Sequence, residues 1–583
     1  MARSLLSGNE AVARGAWEAG ALVGVGYPGT PSTEVLEAFA CMPGVYAEWA
    51  PNEKVALEVA AGSSLGGVRT LVTMKHVGLN VAADPLLTLS HTGVGAGLVL
   101  LVADDPGMHS SQNEQDSRNY AAFAKVPLLE PSDSAEALAH VRLAFDLSER
   151  FDLPVILRST TRVAHSKGLV GTEDREERER VPYEKRPEKW VMMPGNARVR
   201  RLELDERIGR VREWAEGSGV HTEVPGGGPV GVVTSGVCYH HVREALPGAP
   251  VLKLSLTWPL PLAVVRDFAE RVRRVAVVEE ADDFLARGLR AAGIDVADVP
   301  LPAAGELTPR KVAAAFGATV VPARAALDDL PPRPPLMCPG CPHRGVFHAL
   351  RRMRAVVTGD IGCYTLGALP PLAAMDTCVC MGASIGMAHG LSLAGEASRP
   401  VVAVIGDSTF AHSGVTGLMD LSYNRGNATV VVLDNRVTAM TGQQDNPLTG
   451  RTLMGESTVE VDVPALARAL GIADVTRVDP FDLPATESAL RAAVESPGPS
   501  VIVVKGECAL LAREHAEPFG VDEELCTACA VCIRLGCPAI SKESSGKAAI
   551  DAELCVGCAQ CVQVCKYEAI VATGPACDVG ELR

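Results

Sequence analysis

Residues 401–437, VVAVIGDSTFAHSGVTGLMDLSYNRGNATVVVLDNRV, constrain the fold more than any other stretch of this 583-residue chain. Two apolar, β-branched runs, 401–405 and 429–433, bracket a segment with helical patterning that opens near Ser413 and closes at Gly426. The pattern predicts strand, crossover helix and strand, and so a parallel strand pair. Both strands of such a pair end on one edge of the sheet. Asp407 and Asn435 therefore arrive side by side, where ligands of open α/β sheets bind. A carboxylate, an amide oxygen and a backbone carbonyl, for which Val437 is best placed, would supply half a magnesium octahedron. Diphosphate oxygens and water would complete it, because magnesium keeps phosphates and water in its shell. Gly-Asp and Asp-Asn are also ordinary strand-end turn residues, and on these dipeptides alone both readings stand.

Bulk properties narrow the classes. At 47% hydrophobic content a chain of this length buries several cores, so three or four domains are expected. A net charge of −16 without a basic stripe argues against a nucleic-acid partner. The first residues lack the apolar core of a signal peptide, and no apolar run reaches the roughly 18 residues of a membrane helix. A cytoplasmic chain with no membrane partner is expected. Seventeen cysteines, many at CxxC spacing, then point to metal or redox chemistry rather than disulfides.

Near the C-terminus, Cys526-x2-Cys529-x2-Cys532-x4-Cys537-Pro538 and Cys555-x2-Cys558-x2-Cys561-x3-Cys565 form the pattern of two-cluster ferredoxins. In that pattern the fourth cysteine of each run ligates the other cluster. Cys526, Cys529, Cys532 and Cys565 then hold one [4Fe–4S] cluster, and Cys555, Cys558, Cys561 and Cys537 the second. The first run has x4 where x3 is usual, and Lys566 replaces the second proline, which predicts local loop changes rather than lost clusters. Zinc is disfavoured by four closely spaced cysteines on each of two runs.

Gly406-Asp407, 28 residues before Asn435, resembles the diphosphate motif of thiamine diphosphate (ThDP) enzymes, commonly Gly-Asp-Gly followed by Asn-Asn. With Ser408 and Asp434 in the variant positions, it is similar to one branch, the 2-oxoacid:ferredoxin oxidoreductases. The resemblance implies that Gly406, Asp407, Ser408 and Asn435 bind the Mg2+ diphosphate, with Val437 adding its carbonyl. The small-residue helix in MGASIGMAHG would bring Gly382 and Ser384 toward it, although close helix packing explains the same residues.

Toward the N-terminus, residues 8–20 read as an amphipathic helix, 22–26 as a strand and 33–39 as the next helix. The intervening YPGTPST resembles the YPITPS loop of the same family, by which Thr30 would contact the carboxylate or carbonyl of a 2-oxo acid; a plain turn and N-cap is the alternative. Glu53, Ala56, Ala60 and Gly62 resemble the family's glutamate helix. That implies a carboxyl group from Glu53 against N1′ of the aminopyrimidine, with Glu58 the competing candidate. Lys75 and His76 fall in the loop that in this family passes near the reactive carbon. The polar stretch 107–118 reads as a substrate or lid loop in which Arg118 pairs with a carboxylate, or as an exposed loop.

Residues 172–190 carry dense charge of both signs and read as exposed linker or surface helix, and the glycines of 217–228 mark a boundary. From 229 to about 325, strand and helix alternate, resembling a transketolase C-terminal-like domain; LPPRPPL at 330–336 is the next linker. Beyond it come Cys338 and Cys341 in CPGC, Cys363 in IGC and Cys508 at a late strand end. A lone CxxC could be zinc, a redox dithiol or neither, but the four together resemble the ligands of the family's proximal [4Fe–4S] cluster.

The expected fold is thus α/β and multidomain. It comprises a pyrimidine-binding ThDP domain (1–170), a charged linker (171–228), a transketolase C-terminal-like domain (229–328), a diphosphate-binding ThDP domain (335–515) and an α+β two-cluster ferredoxin domain (517–575). The two ThDP domains are expected to be doubly wound. The order resembles the alpha subunit of the family's indolepyruvate branch. That implies a beta subunit carrying the missing gamma-type domain, in an α2β2 assembly. It also implies oxidative decarboxylation of indolepyruvate or another arylpyruvate with coenzyme A, giving acyl-CoA and CO2. Clusters accept one electron at a time, so two single-electron transfers to an external ferredoxin follow. The rivals are a non-oxidative ThDP decarboxylase or lyase with structural clusters, and an electron-transfer subunit without catalysis of its own.

Overall fold

A computed structural model describes residues 2–319, 330, 331, 333–395, 399–512 and 515–573. Residues 320–328 of the predicted third domain and Pro332 of the predicted linker lie outside the described residues. So do 396–398, 513–514 and 574–575 of the predicted diphosphate and ferredoxin domains. The chain divides into two units, Met1–Leu327 and Asp328–Arg583.

The first unit is built on a seven-stranded sheet in the order Leu256–Trp258, Leu128–Leu129, Val155–Thr160, Leu98–Asp104, Thr70–Lys75, Val23–Gly26, Tyr46–Trp49. All pairs are parallel except the first. Leu98–Asp104 is buried at every position, as expected of a parallel strand covered on both faces. Helices run close to the sequence expectation: Gly8–Glu18, with a capping box between Ser7 and Glu10, then Thr33–Ala40. A second sheet, Val296–Ala297, Arg274–Val278, Val230–Ser235, Val251–Leu254, Thr222–Val224, is parallel but for the last pair. The edge strand Leu256–Trp258 of the first sheet thus comes from inside the stretch assigned by sequence to the third domain.

Within the expected linker, residues 173–186 lack regular secondary structure, but Pro194–Gly217 forms a 24-residue helix. Its apolar stripe is narrow, Leu204, Ile208, Val211 and Ala215, and charges surround it, which hides the amphipathic period. Arg207 anchors it by donating to the carbonyls of Ser90 (3.0 Å) and His91 (3.1 Å).

Arg118, expected to pair with a carboxylate, is fully buried and pairs with the protein's own: Asp116 at 2.5 Å and Glu279 at 2.7 Å. It also donates to the Glu280 carbonyl at 2.9 Å, tying the loop after one sheet to the strand end of the other. Burial pushes the Asp116 carboxyl up, but the Arg118 and Arg158 guanidiniums outweigh it and bring it down to about 2.

In the second unit, six strands pair in parallel throughout: Thr377–Cys378, Val356–Gly359, Val401–Gly406, Thr429–Asp434, Ser500–Lys505, Asp474–Val478. The crossover helix opens earlier than its sequence pattern suggested. Helical backbone starts at Asp407, passes through a π-turn at Phe410–Gly414 and continues as Val415–Tyr423. A wide π-turn disturbs the 3.6-residue period, so only the regular part is visible as a helix in the sequence. The cysteine-rich end adds two antiparallel ribbons, Phe519–Val521 with Ile570–Ala572 and Ile540–Lys542 with Ala548–Ile550. Among the described residues, no helix is long and apolar enough to cross a membrane.

Replacing Arg118 by Met should destabilise the chain by about 3–5 kcal/mol, because Asp116 and Glu279 would keep buried charge without a partner. Urea unfolding followed by circular dichroism checks this; a change within about 0.5 kcal/mol, usual for surface substitutions, would show that the seam holds nothing together.

Candidate functional site

The strand order of the second unit reverses between Val356–Gly359 and Val401–Gly406, and this switch point is where open α/β sheets take ligands. Asp360 and Asp407 follow those two strands directly. Asp407 is buried, its carboxylate accepting the N–H of Ser408 at 2.6 Å and of Val437 at 3.2 Å. Burial pushes its pKa up to about 7, and nearby Asp434 pushes the same way. A cation placed beside this carboxyl would oppose that push. Asn435 and Val437 are buried beside it, separated by Arg436 in the left-handed region at φ 65°. Asn446 faces the same carboxyl and was missed in the sequence, where only an Asn-Pro turn signal marks it. Gly406 admits the Tyr364 ring, which would stand 2.7 Å from an added Cβ.

The N–H groups of Gly382 and Ser384, expected to face a diphosphate, are spent differently. They donate to the Asp360 carboxylate at 2.8 and 3.1 Å. Close packing also accounts for that glycine, since a Cβ on Gly382 would come 2.4 Å from the Ser413 Cβ. Asp360 was overlooked, although Gly359-Asp360 repeats the Gly-Asp dipeptide of 406–407.

Cys338, Cys341, Cys363 and Cys508 gather near this edge. Burial pushes the Cys341 thiol up to about 12, with Cys338 and Cys363 adding to it. Cys363 rises to about 11 through burial, then through Cys508 and Cys338. The Cys508 N–H donates to the Asn435 carbonyl at 3.1 Å, so the thiol group and the residues around Asp407 share one strand end. Farther along, Cys526, Cys529, Cys532 and Cys565 line one small cavity, while Cys537, Cys555, Cys558 and Cys561 line another. This is the grouping that exchange of the fourth cysteine predicts. Bare thiolates would be unfavourable in such apolar surroundings, whereas iron supplies the compensating charge, so the donor sets fit [4Fe–4S] clusters.

Pro339, Gly340 and Arg344 also line the second of these cavities. A Cβ on Gly340 would come 2.3 Å from Val556, which puts the CPGC loop against the CVGC loop. No residue from outside the cysteine-rich end lines the first cavity. The Cys537 set is therefore the inner one and the Cys526 set the outer.

In the first unit Glu53 is buried at the start of Glu53–Leu65, which Asn52 caps, whereas Glu58 is exposed and paired with Lys54. Burial agrees with the preference that helical register gave to Glu53. The Glu53 carboxyl lies over Gly78, where an added Cβ would come within 2.4 Å of it. Lys75 packs on Gly29 and donates to the Ser110 carbonyl at 3.2 Å. Burial lowers its pKa, opposed by Asp105 and Glu53. His76 is buried with its Nε2 3.2 Å from the Asn113 carbonyl, and the Ser110 hydroxyl donates to the Thr30 carbonyl at 3.4 Å. Glu53, Thr30, Lys75 and His76 thus meet at one sheet edge under the loop that carries Ser110 and Asn113.

Three family models match parts of the chain. The family model described as "Thiamine pyrophosphate enzyme, C-terminal TPP binding domain" matches residues 360–504. "Pyruvate flavodoxin/ferredoxin oxidoreductase, thiamine diP-bdg" matches 14–212, and "4Fe-4S binding domain" matches 548–571. Indolepyruvate oxidoreductase subunit IorA of Methanothermobacter thermautotrophicus is 42% identical, covering 91% of this chain and 91% of its own. Its namesake in Archaeoglobus fulgidus is 41% identical over 91% of this chain and 96% of its own, and that of Pyrococcus horikoshii 40% identical over 91% and 90%.

A magnesium ion held by Asp407 would need the ionised carboxylate, so magnesium affinity, measured by calorimetry with ThDP present, should rise about tenfold per pH unit and level off above about 7. Asp407→Asn should remove that dependence along with most of the affinity. The sign for stability is opposite: Asp407 is raised when folded, so the metal-free chain should lose stability as pH climbs from about 4 to about 7.

Proposed function

The chain belongs to the indolepyruvate oxidoreductase subunit IorA family, and we propose that it oxidatively decarboxylates an aryl 2-oxo acid, indolepyruvate foremost. Coenzyme A takes the acyl group and ferredoxin the electrons. Bound ThDP supplies the carbanion-stabilising chemistry that lets a 2-oxo acid lose CO2. Glu53 holds the proton at N1′ of the cofactor. Asp407, the Asn435 side chain and the Val437 carbonyl bind Mg2+, and Gly406 and Ser408 shape the turn that carries them. Thr30 orients the substrate carboxylate, with Lys75 and His76 beside the reacting carbon. Cys338, Cys341, Cys363 and Cys508 hold a proximal cluster, and the eight later cysteines hold two more. A beta subunit with a gamma-type domain completes the enzyme as α2β2.

The observation that supports this reading is the hydrogen bond from the Cys508 N–H to the Asn435 carbonyl, which keeps Cys508, read here as a cluster ligand, next to Asn435, read here as a magnesium ligand. A non-oxidative decarboxylase needs no acceptor at that place. An electron-transfer subunit, in turn, needs neither the buried Asp407 nor a buried Glu53.

The test is anaerobic, on the chain with its partner. Reduction of a ferredoxin surrogate by indolepyruvate should require coenzyme A, and iron should come to about twelve per chain rather than about eight. CO2 and aldehyde without dye reduction would overturn the oxidative reading. Glu53→Gln should lower turnover by about 10²–10⁴, whereas Glu58→Gln should leave it unchanged; equal effects would remove Glu53 from the proton-holding role.

A further inference from the structure

Arg344 is buried, 2% exposed, three residues after Cys341. One terminal nitrogen donates to the carbonyls of Met337 (2.8 Å) and Cys338 (2.9 Å), and the other to the carbonyl of Leu535 (2.9 Å), between Cys532 and Cys537. Its Nε is buried without a hydrogen-bond partner, and the side chain lines the cavity of the inner cysteine set. Among the described residues no carboxylate pairs with it. All three acceptors are neutral, yet a buried guanidinium without a counter-charge costs several kcal/mol.

The missing counter-charge is at hand on both sides. A [4Fe–4S] cluster with four thiolates carries net negative charge, and the guanidinium lies against the cysteines of two sets. We propose that Arg344 is the shared counter-charge of the proximal and inner clusters, a positioning residue that raises their reduction potentials and bolts the CPGC loop to the cysteine-rich end. This rests on the cluster assignment proposed above. Net charge and hydrogen bonding around the ligand sulfurs are what a protein has to set cluster potentials, and a cation between two clusters acts on both. The outer cluster, held by Cys526, Cys529, Cys532 and Cys565, has no such neighbour lining its cavity.

The experiment is redox potentiometry followed by electron paramagnetic resonance on the anaerobic complex, comparing the native chain with Arg344→Met and Arg344→Lys. Arg344→Met should shift the one-electron equilibrium of the inner and proximal clusters about tenfold toward the oxidised form, ~59 mV, with the outer cluster unmoved and iron content unchanged. Arg344→Lys, which keeps the charge and loses the fork, should leave the potentials close to those of the native chain. Unchanged potentials in Arg344→Met at full iron content would overturn the proposal.

If Arg344→Met fails to retain iron, Gln560→Glu serves as the second variant. Gln560 is buried at the same seam, donating to the Cys341 carbonyl at 3.2 Å while its Oε1 has no partner. A negative charge there should move the same two clusters in the same direction, and no movement would again overturn the proposal. A preparation with about eight irons would instead sink the proximal cluster. The inner cluster would then still report on Arg344, so the two failures are distinguishable.

Discussion

Parallel strand pairing is the constraint on which both units depend. Strands that run the same way end on the same edge, and each new strand must be reached by a crossover from the far edge. In the second unit the register sets Gly406 opposite Leu433 and Asp434 opposite Lys505, so Asp407, Asn435 and Cys508 emerge in one row. In the first unit Val23–Gly26 and Thr70–Lys75 pair directly, which brings the Gly29-Thr30 turn to Lys75 and His76. Residues far apart in sequence become neighbours with no loop having to be shaped for the purpose.

On that scaffold, function is built from buried charge, handled in three ways. Arg118 is matched by protein carboxylates and holds two sheets together. Asp360 is matched by N–H groups at a helix start and by that match withholds those groups from any other anion. Among the described residues Asp407 accepts from backbone N–H groups and Arg344 donates to carbonyls, so each is a buried ionisable group met by neutral partners. Such a charge is costly in an apolar interior, and an oppositely charged ligand at either place would offset that cost.

Much of this was legible beforehand, and for identifiable reasons. Strand and crossover patterns are local and repetitive, so the α/β class and the first elements of each unit could be read from apolar periods. The cysteines of 526–565 could be sorted because their spacing is tied to one type of cluster. What stayed hidden depended on burial. Glu53 and Glu58 sit on one helix, and register favours Glu53, but only burial shows that one is covered and the other left in water. The helix Pro194–Gly217 looked like linker because its buried stripe is only one side chain wide. Gly382 and Ser384 looked like a phosphate cradle because the competing carboxylate lies more than twenty residues away.

The sequence by itself determined which chemistries the chain can support, since thiols at fixed spacing and acidic or amide residues at strand ends need only local order to be recognised. Tertiary structure alone decided which residues meet and which charges lose their water. It buried Glu53 and left Glu58 in water, spent the Gly382 and Ser384 amides on Asp360, and pressed Gly340 of the CPGC loop against Val556 beside the Cys537 set. The physical reason is that desolvation and close contact belong to pairs of residues brought together across the fold, and no single stretch of chain carries that information.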